Sequence, residues 1–264
     1  RPAQPPRTPL TTVAAWAGAQ LRGPHPEREV SGISLSSQRI RPGDLYAALP
    51  GSRAHGIEFA EEAVASGAVA IFTDPAGLDR GPADVPHLVV DRPRAVLGRL
   101  SARIYGEPAA SMRMVGVTGT QGKTTTTRLL EAGLQRAGVP AAAVGTVGTR
   151  IAGEAVRSSL TTPEAPDLHA LFAVMREREV RACAMEVSSH ALVMGRVDGV
   201  VFDVAVFLNL GRDHLDFHRD LEDYYAAKAS LFAPDRARLA LVNLDDAHGR
   251  RLAGEATVPV RTFS

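Results

Sequence analysis

A chain of 264 residues has room for one large domain or two ordinary ones, each with its own core. Its 30 Lys and Arg against 29 Asp and Glu leave a net charge of +1, and 5% of residues are aromatic, which excludes a basic footprint for nucleic acid and a stacking platform for bases. Cys183, the single cysteine, cannot form an internal disulfide, no apolar run reaches the roughly 18 residues of a membrane helix, and no signal-peptide pattern opens the sequence, so a reducing, cytoplasmic setting is expected.

Residues 1–9 hold four prolines and are expected to form a loose arm. The first folded unit is placed at 10–110. Its predicted elements are a short helix over 12–19 containing Trp16, strands over 30–35 and 44–49 with Arg41-Pro42-Gly43 as the turn between, and a helix over 58–66. A strand over 68–73, another over 88–90 and a helix over 94–104 complete it. Strands alternate with helices, so the unit is α/β. Gly106-Glu107-Pro108 breaks the last helix, and the second unit is placed at 111–264.

That unit opens with an apolar run (Met114, Val115, Val117), glycines at 116, 119 and 122, and a helix from Lys123 with Leu129, Leu130 and Leu134 read as one face. Strands over 141–147, 182–187, 204–208 and 239–243 follow, with helices over 164–179 and 224–232. The first of these helices spaces Leu168, Leu171, Phe172 and Met175 for one buried face. A mainly parallel sheet wound with helices is the expected architecture.

Strand, glycine turn and helix start make a phosphate cradle. Backbone N–H groups and the helix N-terminus favour an anion, Lys123 adds a full charge, and Thr124 or Thr125 offers a hydroxyl to Mg²⁺, so ATP is the expected ligand. The spacing is Gly-x-x-Gly-x-x-Gly-Lys-Thr-Thr, with Val117 where the usual pattern has glycine. Ligands of an open parallel sheet bind where the strands finish. Past the later runs stand Glu186-Val187-Ser188-Ser189-His190 and Asn209 through Asp213-His214-Leu215-Asp216-Phe217-His218. Glu186 suits Mg²⁺, and His214 suits a metal or a phosphate; zinc at the Asp-His grouping lacks a thiolate ligand.

Four ordered blocks give the chain a family resemblance: Gly119-Thr120-Gln121-Gly122-Lys123-Thr124-Thr125, Leu160-Thr161-Thr162-Pro163-Glu164, Met185-Glu186-Val187-Ser188-Ser189-His190, and Asn209 to Lys228. With Leu35-Ser36-Ser37 and Gly43-Asp44-Leu45 in the first unit, the chain resembles the Mur ligases of peptidoglycan precursor synthesis, and among them the tripeptide-forming MurE type. The resemblance implies three domains, for a UDP-sugar, for ATP and for an incoming amino acid, the third lying outside this sequence. It implies that Leu35, Ser37, Ser52, Arg53 and Ala54 surround the UDP group, and that Thr161, Thr162, Ser188 and Arg196 hold the muramoyl-dipeptide.

Gly119 to Thr125, with Asn209, would then bind ATP. Thr124, Glu186 and His214 would serve Mg²⁺, and Lys228, carbamylated to N6-carboxylysine, a second Mg²⁺. Lys123, Glu186, His214 and Lys228 are the implied catalytic set. The implied reaction is ATP-dependent addition of meso-diaminopimelate or L-lysine to UDP-MurNAc-L-Ala-D-Glu through an acyl phosphate, by a monomer, with residues 1–264 inactive alone. A phosphate-loop kinase or NTPase accounts for Lys123 and Thr124 but leaves the first unit and Glu186, His214 and Lys228 unexplained.

Overall fold

Short apolar runs, too short for helices and mostly buried on both faces, supply the central strands of two larger sheets, and a two-stranded sheet stands beside them among the described residues. The computed structural model describes residues 1–156, 160–213 and 216–264, and they divide into one unit of 1–107 with 165–173 and another of 108–164 with 174–264.

The first unit carries a five-stranded sheet in the order Gln20–Arg22, His87–Val89, Ala70–Thr73, Asp44–Ala47, Gly32–Ser34. The last four strands are parallel, and Gln20–Arg22 runs antiparallel at one edge. Helix Leu10–Ala17 buries Leu10, Val13, Ala14 and Ala17, a spacing of three and four that gives one apolar stripe, and Gly18 ends it in the left-handed conformation at φ +61°. Helix Pro93–Ile104 adds Leu97, Leu100 and Ile104 to the same core.

The arm is not loose. Thr8–Pro9 pairs antiparallel with Glu29–Val30, and the Arg1 guanidinium meets Asp44 at 2.8 Å and the Tyr105 hydroxyl at 2.6 Å. The ion pair to a buried carboxylate and the strand pairing hold the arm down, and stiff prolines lose little entropy in being ordered.

The second unit carries an eight-stranded sheet in the order Glu154–Val156, Thr149–Ile151, Ala141–Val144, Ala182–Glu186, Arg113–Thr118, Val204–Phe207, Ala240–Asn243, Val260–Phe263. The last six are parallel, and the first two form an antiparallel hairpin on their edge. The chain starts at the central Arg113–Thr118 strand, builds one side, then crosses to build the other. The direction of winding therefore reverses beside that strand, which opens a crevice at its carboxyl end.

The strand expected over 30–35 divides into Glu29–Val30, paired with the arm, and Gly32–Ser34, in the five-stranded sheet, and two elements of the second unit also change. The strand expected to 147 ends at Val144, because the chain turns at Gly145 and enters the hairpin. In helix Lys123–Arg136 the buried positions are Thr127 and Glu131, while Leu129 is 68% exposed. At about 100° per residue, Leu129 lies about 200° from Thr127 and so faces away from the sheet side.

Candidate active site

The turn after Arg113–Thr118 is shaped by its glycines. Gly122 sits at φ +87° directly before helix Lys123–Arg136, and a Cβ on Gly119 would press on the Leu208 side chain and the Asn209 backbone. Asn209, just past strand Val204–Phe207, clamps this turn: its Oδ1 accepts from the N–H of Thr120 at 3.1 Å and of Gln121 at 2.9 Å, and its Nδ2 donates to Gln121 O. Two amides expected to face a phosphate are thus spent on Asn209, which acts as a brace of the loop.

Two amines converge on one carbonyl. Lys123 Nζ donates to Gly119 O at 2.7 Å and Thr120 O at 2.9 Å, and Lys228 Nζ donates to Gly119 O at 3.0 Å from helix Leu221–Ala229. Lys228 is 1% exposed and stands 4.5 Å over the Tyr224 ring. Burial, with the Lys123 charge beside it, pushes its amine down to about 7, and Asp213 opposes the shift. Burial also lowers Lys123, against the pull of Glu186 and Asp213. An amphipathic-helix reading makes Lys228 a solvated lysine; the fold instead buries it.

Glu186 ends strand Ala182–Glu186 and is buried. Its Oε1 accepts from Thr124 Oγ1 at 2.8 Å and from Thr146 N at 2.8 Å, and its Oε2 accepts from Thr146 Oγ1 at 3.1 Å. Thr146 is not among the expected site residues, because the expected strand runs through it; as a polar residue past the Val144 end it obeys the same strand-end rule. Thr161 Oγ1 meets Thr146 Oγ1 at 3.0 Å, and Thr162 Oγ1 donates to Glu186 O at 2.8 Å.

Arg196 forks onto Thr162 O at 3.3 Å and the Glu164 carboxylate at 2.7 Å. Ser188 caps helix Ser189–Val193 by accepting from Ala191 N.

A cleft of about 500 Å³ gathers these groups, lined by Thr120 to Thr124, Thr161, Thr162, Glu186, Ser188, Arg196 and Lys228. Ser189, His190, Asp213 and Tyr224 line it as well, none of them among the expected site residues. Thr125 is exposed and outside the lining, so Thr124 is the threonine that meets Glu186. His214 lies outside the described residues. A carboxylate with two hydroxyls around it is a hard oxygen donor set that fits Mg²⁺, which retains waters and needs few protein ligands.

In the first unit, Leu35 and Ser37 follow strand Gly32–Ser34, and Ser52, Arg53 and Ala54 follow Asp44–Ala47. These strands are parallel neighbours, so both segments stand at the carboxyl edge of that sheet. Ser37 is buried, Leu35 packs on the core, and Ser52 and Arg53 are exposed.

The Mur ligase middle domain matches residues 117–264, and the Mur ligase family catalytic domain matches residues 29–105. The chain belongs to the Mur ligase family. It is 56% identical, over its whole length and 52% of the relative's, to a UDP-N-acetylmuramoyl-L-alanyl-D-glutamate–2,6-diaminopimelate ligase of Streptomyces avermitilis. It is 50% identical, over 90% of its length and 47% of the relative's, to a protein of the same name from Corynebacterium glutamicum. A solved structure of a ligase with that name superposes at a TM-score of 0.80 with 28% identity, covering 97% of this chain and 52% of that one. MurF of Acinetobacter baumannii shares the fold at a TM-score of 0.69 and 20% identity, with 98% of this chain and 54% of that chain covered. The chain thus spans about half the length of the Mur ligases it matches.

Proposed function

We propose that the full-length protein is an ATP-dependent amide-forming ligase that adds the third amino acid to UDP-MurNAc-L-Ala-D-Glu. The observation that carries this reading is the Thr124–Glu186–Thr146 cluster beside two lysine amines on one loop carbonyl, in a chain 56% identical to a ligase of that name. The relatives' names favour 2,6-diaminopimelate as the added amino acid. ATP is the phosphoryl donor, which implies a cytoplasmic site of action.

Amide formation needs the substrate carboxylate to become an acyl phosphate, since oxide is a poor leaving group and phosphate a good one. The chain's part is positioning and charge neutralisation, because two anions about 4 Å apart repel by about 1 to 4 kcal/mol at effective dielectrics of 80 to 20. Asn209 holds the turn, and Lys123 stands at its mouth to screen phosphate oxygens as carboxylate and phosphoryl approach. The Arg196 fork offers the geometry that orients a carboxylate. Leu35, Ser37, Ser52, Arg53 and Ala54 receive the UDP group, and Thr161, Thr162 and Ser188 the peptide.

Thr124 and Glu186 would hold Mg²⁺, with His214, and the bound ion would neutralise the crowded phosphate oxygens. Lys228 suits carbamylation: its amine, held near 7, is partly neutral at physiological pH, and an anionic carbamate would sit beside the Lys123 cation. The carbamate would offer a carboxylate-like ligand to a second Mg²⁺.

The test is ADP release by the full-length protein with Mg-ATP, UDP-MurNAc-L-Ala-D-Glu and either diaminopimelate or lysine. Release that requires both the UDP-dipeptide and an amino acid, with diaminopimelate preferred, is expected. ADP release indifferent to the UDP-dipeptide would overturn the reading in favour of a phosphate-loop NTPase.

A further inference from the structure

Ser189, His218 and Asp223 form a hydrogen-bonded chain that none of the roles above uses. Ser189 opens helix Ser189–Val193 and lines the cleft while only 1% exposed. Its Oγ lies 2.8 Å from His218 Nε2, and His218 Nδ1 lies 3.4 Å from Asp223 Oδ2. The buried His218 ring is boxed edge-on by His190 and Phe217 and tilted against Tyr224, so its orientation is set by packing. The Arg219 guanidinium, 2.9 Å from Asp223, holds that carboxyl below its ordinary range, so Asp223 is a carboxylate at neutral pH. A carboxylate only accepts. In the neutral imidazole Nδ1 therefore carries the proton, Nε2 accepts from the Ser189 hydroxyl, and the oxygen of this cleft-lining serine keeps lone pairs with the capacity to accept.

We propose that Ser189 contacts substrate, its hydroxyl aimed by His218 and Asp223 to accept a hydrogen bond from an N–H donor in the cleft. The inference rests on the ligase reading, which brings two such donors: the peptide N–H groups of the UDP-linked dipeptide and the amine of the incoming amino acid. Phosphate and carboxylate oxygens are repelled by the same lone pairs, so this wall sorts the nitrogen end of the reactants from the anionic end. His218 and Asp223 are positioning residues.

The test uses the full-length protein with Ser189→Ala, His218→Ala and His218→Gln, each substrate varied in turn. Ser189→Ala is expected to raise KM for one N–H substrate by about three- to tenfold, the size of one lost hydrogen bond, with kcat and KM for ATP within about threefold of wild type. A rise for the UDP-dipeptide assigns the peptide amide; a rise for the amino acid assigns the amine. His218→Ala reproduces the rise, and His218→Gln, whose carbonyl accepts the serine proton, recovers most of it. Side-chain ¹⁵N shifts of wild-type His218 are expected to report the Nδ1–H tautomer, and they decide the matter with Ser189→Ala should the His218 variants not fold. Unchanged KM values for both N–H substrates in an active Ser189→Ala enzyme, or a proton on Nε2 alone, overturn the assignment and leave the ligase reading standing. A wild-type enzyme that forms no tripeptide overturns both.

Discussion

Gly145 is small because Glu186 is close: a Cβ at that position would strike the Glu186 carboxylate. Gly145→Ala therefore displaces the acid from Thr124 and Thr146, and a misplacement of about 1 Å in a positioning group is worth roughly a hundredfold in rate. The expected outcome is a folded protein with turnover down by about that factor, read by ADP release and circular dichroism. Lys228 makes a second prediction, in pH. Its folded-state value is about 7, against about 10.4 for an unfolded lysine. Between those values the unfolded chain holds a proton that the folded chain has lost, so wild-type stability rises with pH across the window. A Lys228→Met chain lacks this titration. Its stability advantage over wild type should shrink by about 2 to 3 kcal/mol between about pH 6 and about pH 9, measured by urea unfolding of residues 1–264. An advantage constant over that range contradicts the placement of Lys228.

Strand Arg113–Thr118 tolerates no side chain at Gly116, where a Cβ would lie 2.8 Å from the Phe202 ring. Gly116→Ala should cost about 1 to 3 kcal/mol by overpacking, whereas Leu129→Lys, on the outward face of helix Lys123–Arg136, should stay within about 0.5 kcal/mol; chemical denaturation compares the two. The contrast also shows what a sequence displays. The parallel strands were legible because burial on both faces demands unbroken apolar runs such as Cys183-Ala184-Met185. The glycine turn was legible because few residues adopt its backbone. Hairpin Thr149–Ile151 with Glu154–Val156 was not, since edge strands of three residues carry no periodicity. Helix Ala247–Glu255 is not among the expected elements either, since two glycines in nine residues weaken its helical signal and the Asp246 cap is a single-residue cue. In the site, Lys123, Thr124 and Glu186 stood out by position at strand ends. Thr146 was hidden by one overlong strand, and Ser189 and His218 by the fact that their partnership joins residues 29 positions apart.

Across the whole chain, the two units carry one natural reporter each. Trp16, the single tryptophan, packs on the core of the first, and Cys183 is fully enclosed in the second, where burial pushes its thiol up to about 12. A thiol so placed is inert until its surroundings open. Tryptophan fluorescence and thiol labelling along one denaturant series should therefore give separate midpoints, UDP-sugar moving the first and Mg-ATP the second. Coincident midpoints under all conditions would show the units to be one cooperative body. Residues 1–264, about half the length of their relatives, are expected to bind both ligands yet form no tripeptide, checked by calorimetry and product analysis. The Gly119 carbonyl, finally, has a bearing on turnover. Since that oxygen already receives the Lys123 ammonium and the Lys228 amine, a phosphate arriving in the proposed reaction would compete with a partner in place, and its grip would be only the difference between the old hydrogen bond and the new one. On the proposed function, departing ADP would leave a surface that restores its own contacts, which would favour rapid discharge over tight retention.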